Sequence, residues 1–308
     1  MHTVTLARHA MATRFEVVLH GEDPAALRSA GEEALDEIDR LENQLSLYRP
    51  GSEIAQVNAR AAREPVRVTP EVFKLLEEAQ ELHRETGGAF DVTIAPLVRC
   101  WGFMAAGGRI PDPEELAAAR ACVGMSHVQL NARLSTVRFT REGVMLDLGA
   151  IGKGYAVGQA AERLRAAGVT SALIHGGTST VFAIGRPLEA GAWKVAIERP
   201  PVTEHHPQSP ANPMDEDPRA WPSPVSLRDE ALSVSAVWGR QFISDGKMLG
   251  HVLDPRTGHP VDRARLAAVV LPSATEADAL STALLVLGKE GEGLLSAIRP
   301  GIRTVLLG

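Results

Sequence analysis

The sequence predicts an α+β fold in which mixed or antiparallel sheets carry packed helices. Segments with strand character follow one another as hairpins in some places and as single crossovers in others, which does not suit a regular doubly wound sheet. No internal repeat is evident, and 308 residues are enough to bury a sizeable core. We therefore expect one domain spanning residues 1–308, built either as a single unit or as two lobes.

Helices are predicted in the first half of the chain by apolar spacing and by capping signals. Residues 24–47 place apolar side chains along one face and acidic side chains along the other. Thr69 followed by Pro70 marks the start of a second helix, because a hydroxyl cap and a proline favour the first turn. Asp112 followed by Pro113 marks a third, with Glu115 placed for a capping box.

Strands and two further helices are predicted from periodicity over the rest of the chain. The alternating or apolar strand segments are residues 15–20, 128–130, 136–139, 144–147, 171–175, 181–184, 193–197, 231–234, 241–243 and 304–306. The helical segments are residues 156–164 and 274–287.

Residues 200–224 break this pattern, because they are rich in proline and polar side chains. Such a composition predicts an exposed loop or a partly disordered insertion. His205 and His206 lie in this stretch and offer metal ligands, but so polar a setting favours a solvated loop.

Composition excludes several classes of function. A net charge of −6 argues against a nucleic-acid partner, and Cys100 and Cys122 have no metal-site or disulfide spacing. No stretch approaches the length of an apolar membrane span, and no export signal or lipid-attachment cysteine is recognisable at the start. These observations predict a cytoplasmic protein, or a periplasmic one if the chain is a trimmed form.

Residues 147–155, with the sequence Asp-Leu-Gly-Ala-Ile-Gly-Lys-Gly-Tyr, are the strongest local signal. A strand is expected before them and a helix after them, so that free backbone N–H groups would face an anion. Lys153 adds a positive charge, and the spacing fits neither a P-loop nor a dinucleotide fingerprint. A turn that needs glycine only for its backbone shape is the alternative interpretation.

Four other segments carry groups suited to binding or chemistry. Tyr48 follows a helix end, where its ring stacks on a ligand or caps the core. Asp91 lies in an apolar run and needs a partner, either a backbone turn or a ligand hydroxyl. His251, just before an Asp-Pro-Arg-Thr-Gly turn, is a candidate base or a structural histidine. Asp278 and Thr282 share one helix face, where they suit a hard cation such as magnesium. The alternative for Asp278 is an ordinary acid of the first helical turn.

In this order, over residues 11–288, the segments resemble the ApbE family of FAD:protein FMN transferases. The resemblance rests on Met11-Ala-Thr13, Ser46-x-Tyr48, Gly88-Ala-Phe-Asp91 with Trp101-Gly-Phe103, Asp147-x-Gly149-x-x-x-Lys153-Gly-Tyr155, Gly176-Gly177, His251-x-x-Asp254-Pro-x-Thr257-Gly258 and Ala277-Asp278-Ala-x-x-Thr282. It implies a T-fold-like architecture and magnesium-dependent transfer of FMN from FAD to a threonine or serine of an acceptor protein, with release of AMP.

The resemblance also implies roles for individual residues. FAD would contact Met11, Tyr48, Ala89, Phe90, Asp91, Asp147, Lys153 and Leu253. Magnesium would be held by the backbone oxygen of Ala150 and the side chains of Asp278 and Thr282. Lys153 would hold phosphate oxygens and His251 would remove the proton of the acceptor hydroxyl.

This chain departs from the family pattern at several positions. Ser235 lies where a Thr-Ser-Gly run is common, Ser281 where an acid is frequent, and Thr178 where Asp or Asn usually follows the glycine pair. Two alternative functions therefore stay open, namely hydrolysis of FAD to FMN and AMP, and flavin binding without turnover.

Overall fold

The computed structural model describes residues 1–105, 107–198, 223–244 and 246–308. Most of the predicted insertion at 200–224, including the His205-His206 pair, lies outside the described residues.

The helices and strands alternate irregularly along the chain. The strands are β1 (His2–Ala10), β2 (Thr13–Gly21), β3 (Val66–Arg67), β4 (Val128–Asn131), β5 (Thr136–Phe139), β6 (Ala172–Gly176), β7 (Thr180–Ile184), β8 (Trp193–Val195), β9 (Val225–Leu227), β10 (Glu230–Ala236), β11 (Gln241–Ser244), β12 (Lys247–Gly250), β13 (Leu266–Leu271) and β14 (Arg303–Leu307). The helices are α1 (Pro24–Leu45), α2 (Glu53–Arg60), α3 (Pro70–Glu85), α4 (Ala95–Cys100), α5 (Pro113–Arg120), α6 (Gly152–Ala166), α7 (Ala274–Leu287) and α8 (Lys289–Ile298).

A seven-stranded sheet organises the molecule, in the order β1-β2-β6-β7-β10-β13-β14. Every neighbouring pair in it is antiparallel. Smaller sheets are formed by β3-β5-β4, by β8-β9 and by β11-β12. The predicted α+β class with antiparallel sheets is confirmed.

Both faces of the large sheet are covered. Helices α1, α6 and α7 lie on one face, where α1 contacts β1 and β2, α6 contacts β6 and β7, and α7 contacts β10 and β13. The antiparallel pair β8-β9 supplies Trp193, Val195 and Leu227 to the apolar cluster on the other side. Burial on both faces explains why β13 is apolar throughout and why β7, which begins with Thr180, is buried at every position.

Helix α7 is almost completely buried, because it packs between the sheet and helix α6. Its contact with α6 is very close at Gly154, where a Cβ atom would lie 2.2 Å from the carbonyl oxygen of Ala274. A glycine is therefore needed at this crossing, and the crossing brings the first turns of α7 against the start of α6.

One strand prediction is wrong. Residues 144–147 join no sheet, because the side chain of Asn58 takes the place of a neighbouring strand. Asn58 Nδ2 donates to the Leu146 carbonyl at 2.9 Å, and the Leu146 N–H donates to Asn58 Oδ1 at 2.7 Å. The Asp147 N–H donates to the carbonyl of Val92.

Other differences concern elements without a strong signal in the sequence. The helix expected over 24–47 ends at Leu45, where Ser46 is extended. Strands β1, β3, β9, β12 and β13 and helices α2, α4 and α8 were not among the predicted elements. Strand β1 begins the chain and buries only Val4, Leu6 and Ala10, so it depends on pairing with β2.

A third apolar cluster, the smallest, lies beside these two. Phe242 of β11 and Leu249 of β12 are cross-strand partners that pack on Leu97, Trp101 and Phe103. This packing holds the β11-β12 hairpin beside the segment that contains His251. Among the described residues, no helix is long and apolar enough to cross a membrane.

Candidate active site

A cleft of about 830 Å³ opens between the large core and the β11-β12 hairpin. The start of α6, the first turns of α7, the end of β10 and residues 251–255 all contribute to its walls. The predicted site residues that line it are Tyr48, Ala89, Phe90, Asp91, Asp147, Ala150, Lys153, His251, Leu253, Asp278 and Thr282. Residues far apart in the chain are therefore brought together.

Met11 is the predicted site residue that does not line this cleft. It is partly buried against the large core, in the two-residue connection between β1 and β2. Met11 and Ala12 both have positive φ, as a type I′ hairpin turn requires. The role implied for Met11 in binding FAD stays a prediction.

Helix α6 begins at Gly152, and its first N–H groups are largely paired. The Gly152 N–H donates to the Leu148 carbonyl at 2.7 Å, and the Gly154 N–H donates to Asp278 Oδ2 at 2.9 Å. The expectation of several free amides at this helix start is therefore wrong. Of the first three amides, the one of Lys153 is left for a ligand.

Lys153 and Asp147 flank this helix start. Lys153 Nζ donates to the Gly149 carbonyl at 3.1 Å, which uses one of its three N–H groups. Asp147 Oδ1 accepts from the Gly149 N–H at 2.8 Å. Burial raises the pKa of the Asp147 carboxyl, while this hydrogen bond and the charges of Lys153 and Arg240 act in the opposite direction.

Asp278 is buried at the junction of α6 and α7, with 3% of its surface exposed. Oδ2 accepts from the Gly154 N–H, and Oδ1 accepts from the Ser233 hydroxyl at 3.1 Å. Among the described residues no Lys, Arg or His forms an ion pair with it. A buried carboxylate that has no positively charged side chain beside it and still has unused lone pairs suits a metal ion.

Hydroxyl groups surround the same position. Ser235 Oγ lies 2.8 Å from Ser281 Oγ and 3.0 Å from Thr282 Oγ1. Ala150 also lines the cleft, in the turn before α6. No group of three or more His, Cys, Asp or Glu side chains forms a metal cluster within the described ranges, so a cation here would be held by mixed oxygens.

His251 is half-buried, and its ring is fixed by one hydrogen bond. Nδ1 lies 3.2 Å from the Arg240 carbonyl oxygen, which can only accept, so Nδ1 carries the proton. Burial lowers the pKa of His251, the charges of Arg240 and Lys153 lower it further, and the hydrogen bond to Arg240 opposes them. The neutral ring then offers Nε2 as a proton acceptor near pH 7.

Asp91 is held from two sides. Its Oδ1 accepts from the Thr93 N–H at 2.7 Å and from the Thr93 hydroxyl at 2.5 Å, while Oδ2 lies 3.1 Å from His83 Nδ1. Burial lowers the pKa of His83, but its hydrogen bond to Asp91, the Asp91 charge and the Phe90 carbonyl outweigh burial and raise it. The partner expected for Asp91 is therefore a backbone turn, supplemented by a histidine.

Two remaining motifs shape the walls of the cleft. Tyr48 is 61% exposed, so its ring does not cap the core. The Asp254 turn forms as expected, since the N–H groups of Thr257 and Gly258 donate to the Asp254 carbonyl. Arg256 pairs with the Asp254 carboxylate, and Trp101 Nε1 donates to the Gly258 carbonyl at 2.8 Å.

Comparison with known proteins decides the family. A sequence model described as the ApbE family matches residues 11–306, almost the whole chain. This chain belongs to the ApbE family. A Treponema pallidum relative named FAD:protein FMN transferase is 32% identical over 312 residues, covering 96% of this chain and 82% of the relative. A Vibrio cholerae relative of the same name is 32% identical over 262 residues, covering 82% and 73%.

Solved structures of the ApbE family have the same fold. The ApbE protein of Thermotoga maritima has a TM-score of 0.84 and 26% identity, with 99% of this chain and 94% of that chain covered. The apo flavinyl transferase ApbE of Pseudomonas stutzeri has a TM-score of 0.81 and 28% identity, with 99% and 95% covered. The T-fold-like ApbE architecture expected from the sequence is confirmed.

Several residues of this ApbE site escaped prediction from the sequence. Asn58, His83, Ser233 and Arg240 each hold or flank a predicted residue, yet none lies beside its partner in the chain. Their partners are 88, 8, 45 and 11 residues away, respectively. Only Ser233 offered a signal, because it is a hydroxyl residue between the apolar residues Leu232 and Val234 of β10.

Proposed function

We propose that this ApbE protein transfers FMN from FAD to the hydroxyl of a threonine or serine in an acceptor protein, with magnesium as cofactor and AMP as the other product. The observation that carries the proposal is the convergence of Lys153, Asp278 and His251 on one cleft. A cation, a buried carboxylate and a neutral imidazole are the groups that such a phosphoryl transfer needs.

The residues present fit a magnesium ion. The Asp278 carboxylate is buried and lacks an ion-pair partner in the described part of the chain, and both Thr282 and Ala150 line the same cleft. Magnesium in proteins is typically held by one or two carboxylates together with substrate phosphates. When bound, it would neutralise negative charge on the pyrophosphate of FAD.

The side chains of the cleft would prepare FAD for attack. Lys153 has two ammonium N–H groups beyond the one that it shares with Gly149, and its backbone amide is also available to an oxygen of the pyrophosphate. Tyr48, exposed at the cleft, offers a flat face to an aromatic ring of the ligand.

His251 would activate the acceptor. Its Nε2 accepts the proton of the attacking hydroxyl as the new bond forms between that oxygen and the phosphorus of the FMN half. The phosphoanhydride bond breaks at the same phosphorus, and AMP leaves with the electron pair. Because Nδ1 donates to the Arg240 carbonyl, the ring stays oriented while its charge changes.

Incubation with FAD and magnesium tests the proposal. The protein is mixed with synthetic peptides that contain threonine or serine, AMP is measured by chromatography, and FMN attachment is measured by mass spectrometry. Release of AMP together with FMN on a peptide supports the transferase. Release of AMP and free FMN without peptides indicates a hydrolase, and unchanged FAD indicates binding alone.

The metal is tested separately by Asp278→Asn. The amide keeps the shape of the side chain but removes its negative charge, so binding of Mn²⁺ as a probe for Mg²⁺ should weaken about tenfold or more. Calorimetric titration measures this without turnover. Glu162→Gln, an exposed acid on α6 paired with Arg165, is the matched control and should bind Mn²⁺ like the wild type. Equal Mn²⁺ affinity in Asp278→Asn would count against this metal site.

A further inference from the structure

Arg240 lies directly opposite His251, where the pairing of the β11-β12 hairpin continues by one residue. The strands pair Phe242 with Leu249, and the His251 N–H donates to the Arg240 carbonyl at 3.0 Å. Side chains alternate along a strand, so Arg240 and His251 share the face of Phe242 and Leu249, which pack on Phe103. Both residues line the main cleft. A guanidinium group therefore accompanies the candidate base on the inner face of the hairpin.

Backbone contacts fix the loop that carries Arg240. Before it, the Val237 N–H donates to the Arg265 carbonyl at 3.0 Å, and after it the His251 N–H bonds the Arg240 carbonyl. Between these contacts, Gly239 has a φ of +126°, and a Cβ atom there would lie 3.5 Å from His251 Cε1. The loop backbone thus lies against the imidazole ring. Arg240 is held in position next to that ring by the fold itself.

The guanidinium group of Arg240 has donors to spare. Nη1 donates to the Phe103 carbonyl at 3.1 Å, which uses one of its five N–H groups. Within the described ranges no carboxylate pairs with its charge, whereas Arg256 is paired with Asp254. The side chain is also exposed at the cleft. An arginine in this state can bind a phosphate with two parallel N–H groups.

A second cation acts on the same place from another wall of the cleft. Among the described residues that line the cleft, Lys153 and Arg240 are the two Lys or Arg side chains. Burial raises the pKa of Asp147, and the charges of both cations oppose it. Burial lowers the pKa of His251, and the same two charges lower it further. Lys153 and Arg240 are therefore both near the base, where a phosphate oxygen would meet two positive charges.

We propose that the Arg240 guanidinium binds the phosphate of the FMN half of FAD. The proposal rests on the proposed function, because it takes FAD as the ligand and His251 as the base. A general base must lie beside the hydroxyl that attacks, and that hydroxyl must lie beside the phosphorus under attack. Because Arg240 adjoins His251, the phosphate within its reach is the one that is transferred. Its charge stabilises the oxygens of that phosphate as the bond to AMP breaks.

Flavin binding tests the proposal without turnover. Quenching of flavin fluorescence measures the affinity for FMN and for riboflavin, which has the same ring system but no phosphate. For Arg240→Gln we expect FMN affinity to fall about tenfold or more, because hydrogen bonds to a charged group are lost, and riboflavin affinity to stay unchanged. Arg240→Lys keeps the charge but not the two parallel N–H groups, so FMN affinity should fall only about threefold.

Arg133→Gln is the matched control, because Arg133 is exposed between β4 and β5 and lines neither described cavity. It removes the same charge and should bind both flavins like the wild type.

Three outcomes would count against the proposal. Unchanged FMN affinity in Arg240→Gln would overturn the role of Arg240 alone. An equal loss of FMN and riboflavin affinity would also overturn it, because Arg240 would then only support the cleft wall through Phe103. A wild-type protein that binds neither FAD nor FMN would overturn this role together with the proposed function. Conversely, FMN binding that depends on Arg240, in a protein that modifies no peptide, would support the phosphate contact and overturn the transfer.

Discussion

Asp278 Oδ2 accepts a hydrogen bond from the Gly154 N–H at 2.9 Å, so a side chain of α7 caps the start of α6. The acid in the first turn of α7, where it favours the dipole of its own helix, is Glu276, whereas Asp278 is the fifth residue of that helix. Here the carboxylate serves the neighbouring helix, and the same contact places it at the wall of the cleft. The candidate metal ligand and the candidate phosphate-binding segment are therefore joined directly.

Gly154→Ala should disrupt this contact. The new Cβ would lie 2.2 Å from the Ala274 carbonyl oxygen and 2.6 Å from Asp278 Cβ, so the two helix backbones would have to separate. Overpacking of this kind costs about 1–3 kcal/mol of unfolding free energy. Urea unfolding measures that loss, and Mn²⁺ titration should show weaker binding because Asp278 shifts away.

Gly158→Ala is the control for this prediction, one helical turn later on α6. Its Cβ would lie 3.8 Å from Ala274 Cβ, an ordinary contact, and alanine is favoured over glycine in a helix by about 1 kcal/mol. We expect equal or greater stability than the wild type. If both variants lost the same stability, close packing at Gly154 would not be the cause.

Asn58→Ala should destabilise the segment that leads to Asp147. The substitution leaves the N–H and the carbonyl of buried Leu146 without their partners, at a cost of about 1–3 kcal/mol for each group. Because Asp147 is the next residue, FAD affinity should fall as well. Urea unfolding and flavin fluorescence measure the two effects.

Asn43→Ala is the control for this prediction. Asn43 lies on the exposed side of α1 and forms comparable hydrogen bonds, since its Nδ2 donates to the Asp39 carbonyl. It should change the unfolding free energy by less than about 0.5 kcal/mol. If Asn58→Ala lost no more unfolding free energy than Asn43→Ala, the side chain of Asn58 would not take the place of a neighbouring strand.

The role of Asn58 also shows where sequence reasoning stops. Periodicity predicts helices such as α1, α3 and α7, because their apolar spacing is local. The hydroxyl cap expected at the start of α3 does not form, because the Thr69 hydroxyl donates to Glu53. The strand expected at 144–147 was wrong because an apolar run shows burial but not what satisfies its backbone. Here a side chain 88 residues away supplies those hydrogen bonds.

In the candidate site, too, local sequence signals could be predicted and long-range contacts could not. Residues that carry chemistry, such as Lys153, His251 and Asp278, could be found because their types and motif spacing are distinctive. Their supporting partners could not, since a contact such as that between Ser233 and Asp278 depends on the pairing of β10 with β7 and the packing of α7 on both. Free amides were expected at the start of α6 because the sequence does not show that Asp278, 124 residues further on, accepts the hydrogen bond of the Gly154 N–H.

His83 should make stability depend on pH through Asp91. Burial lowers the pKa of His83, but the hydrogen bond to Asp91, its charge and the Phe90 carbonyl raise it above 6.5 in the folded protein. A raised pKa stabilises the fold below the unfolded value, and this contribution disappears as the pH rises through the folded value. The stability lost in His83→Gln should therefore be larger at pH 5.5 than at pH 8.5.

Urea unfolding at the two pH values measures this difference. His2→Gln serves as the control, because His2 lies exposed at the start of β1 and forms no ion pair within the described ranges. Its effect on stability should be the same at both pH values. A loss in His83→Gln that is independent of pH would mean that the ion pair with Asp91 does not form in solution.

His251→Gln should slow FMN transfer more than it weakens FAD binding. Removal of a general base typically reduces the rate about 10²–10⁴-fold, whereas the flavin contacts lie on other residues of the cleft. Burial, helped by the charges of Arg240 and Lys153, lowers the pKa of His251 below 6.5. The wild-type rate should thus stay level down to about that pH and fall as the pH drops through the pKa of the ring.

The rate of FMN attachment to a threonine-containing peptide between pH 5 and pH 8 checks both statements, with flavin fluorescence reporting FAD affinity. The acidic fall should be absent from the residual activity of His251→Gln. His259→Gln is the control, because His259 is exposed and lies outside the walls of the cleft. A His251→Gln variant with the wild-type rate and pH profile would exclude His251 as the base and direct attention to Asp147, the half-buried carboxylate on the same cleft.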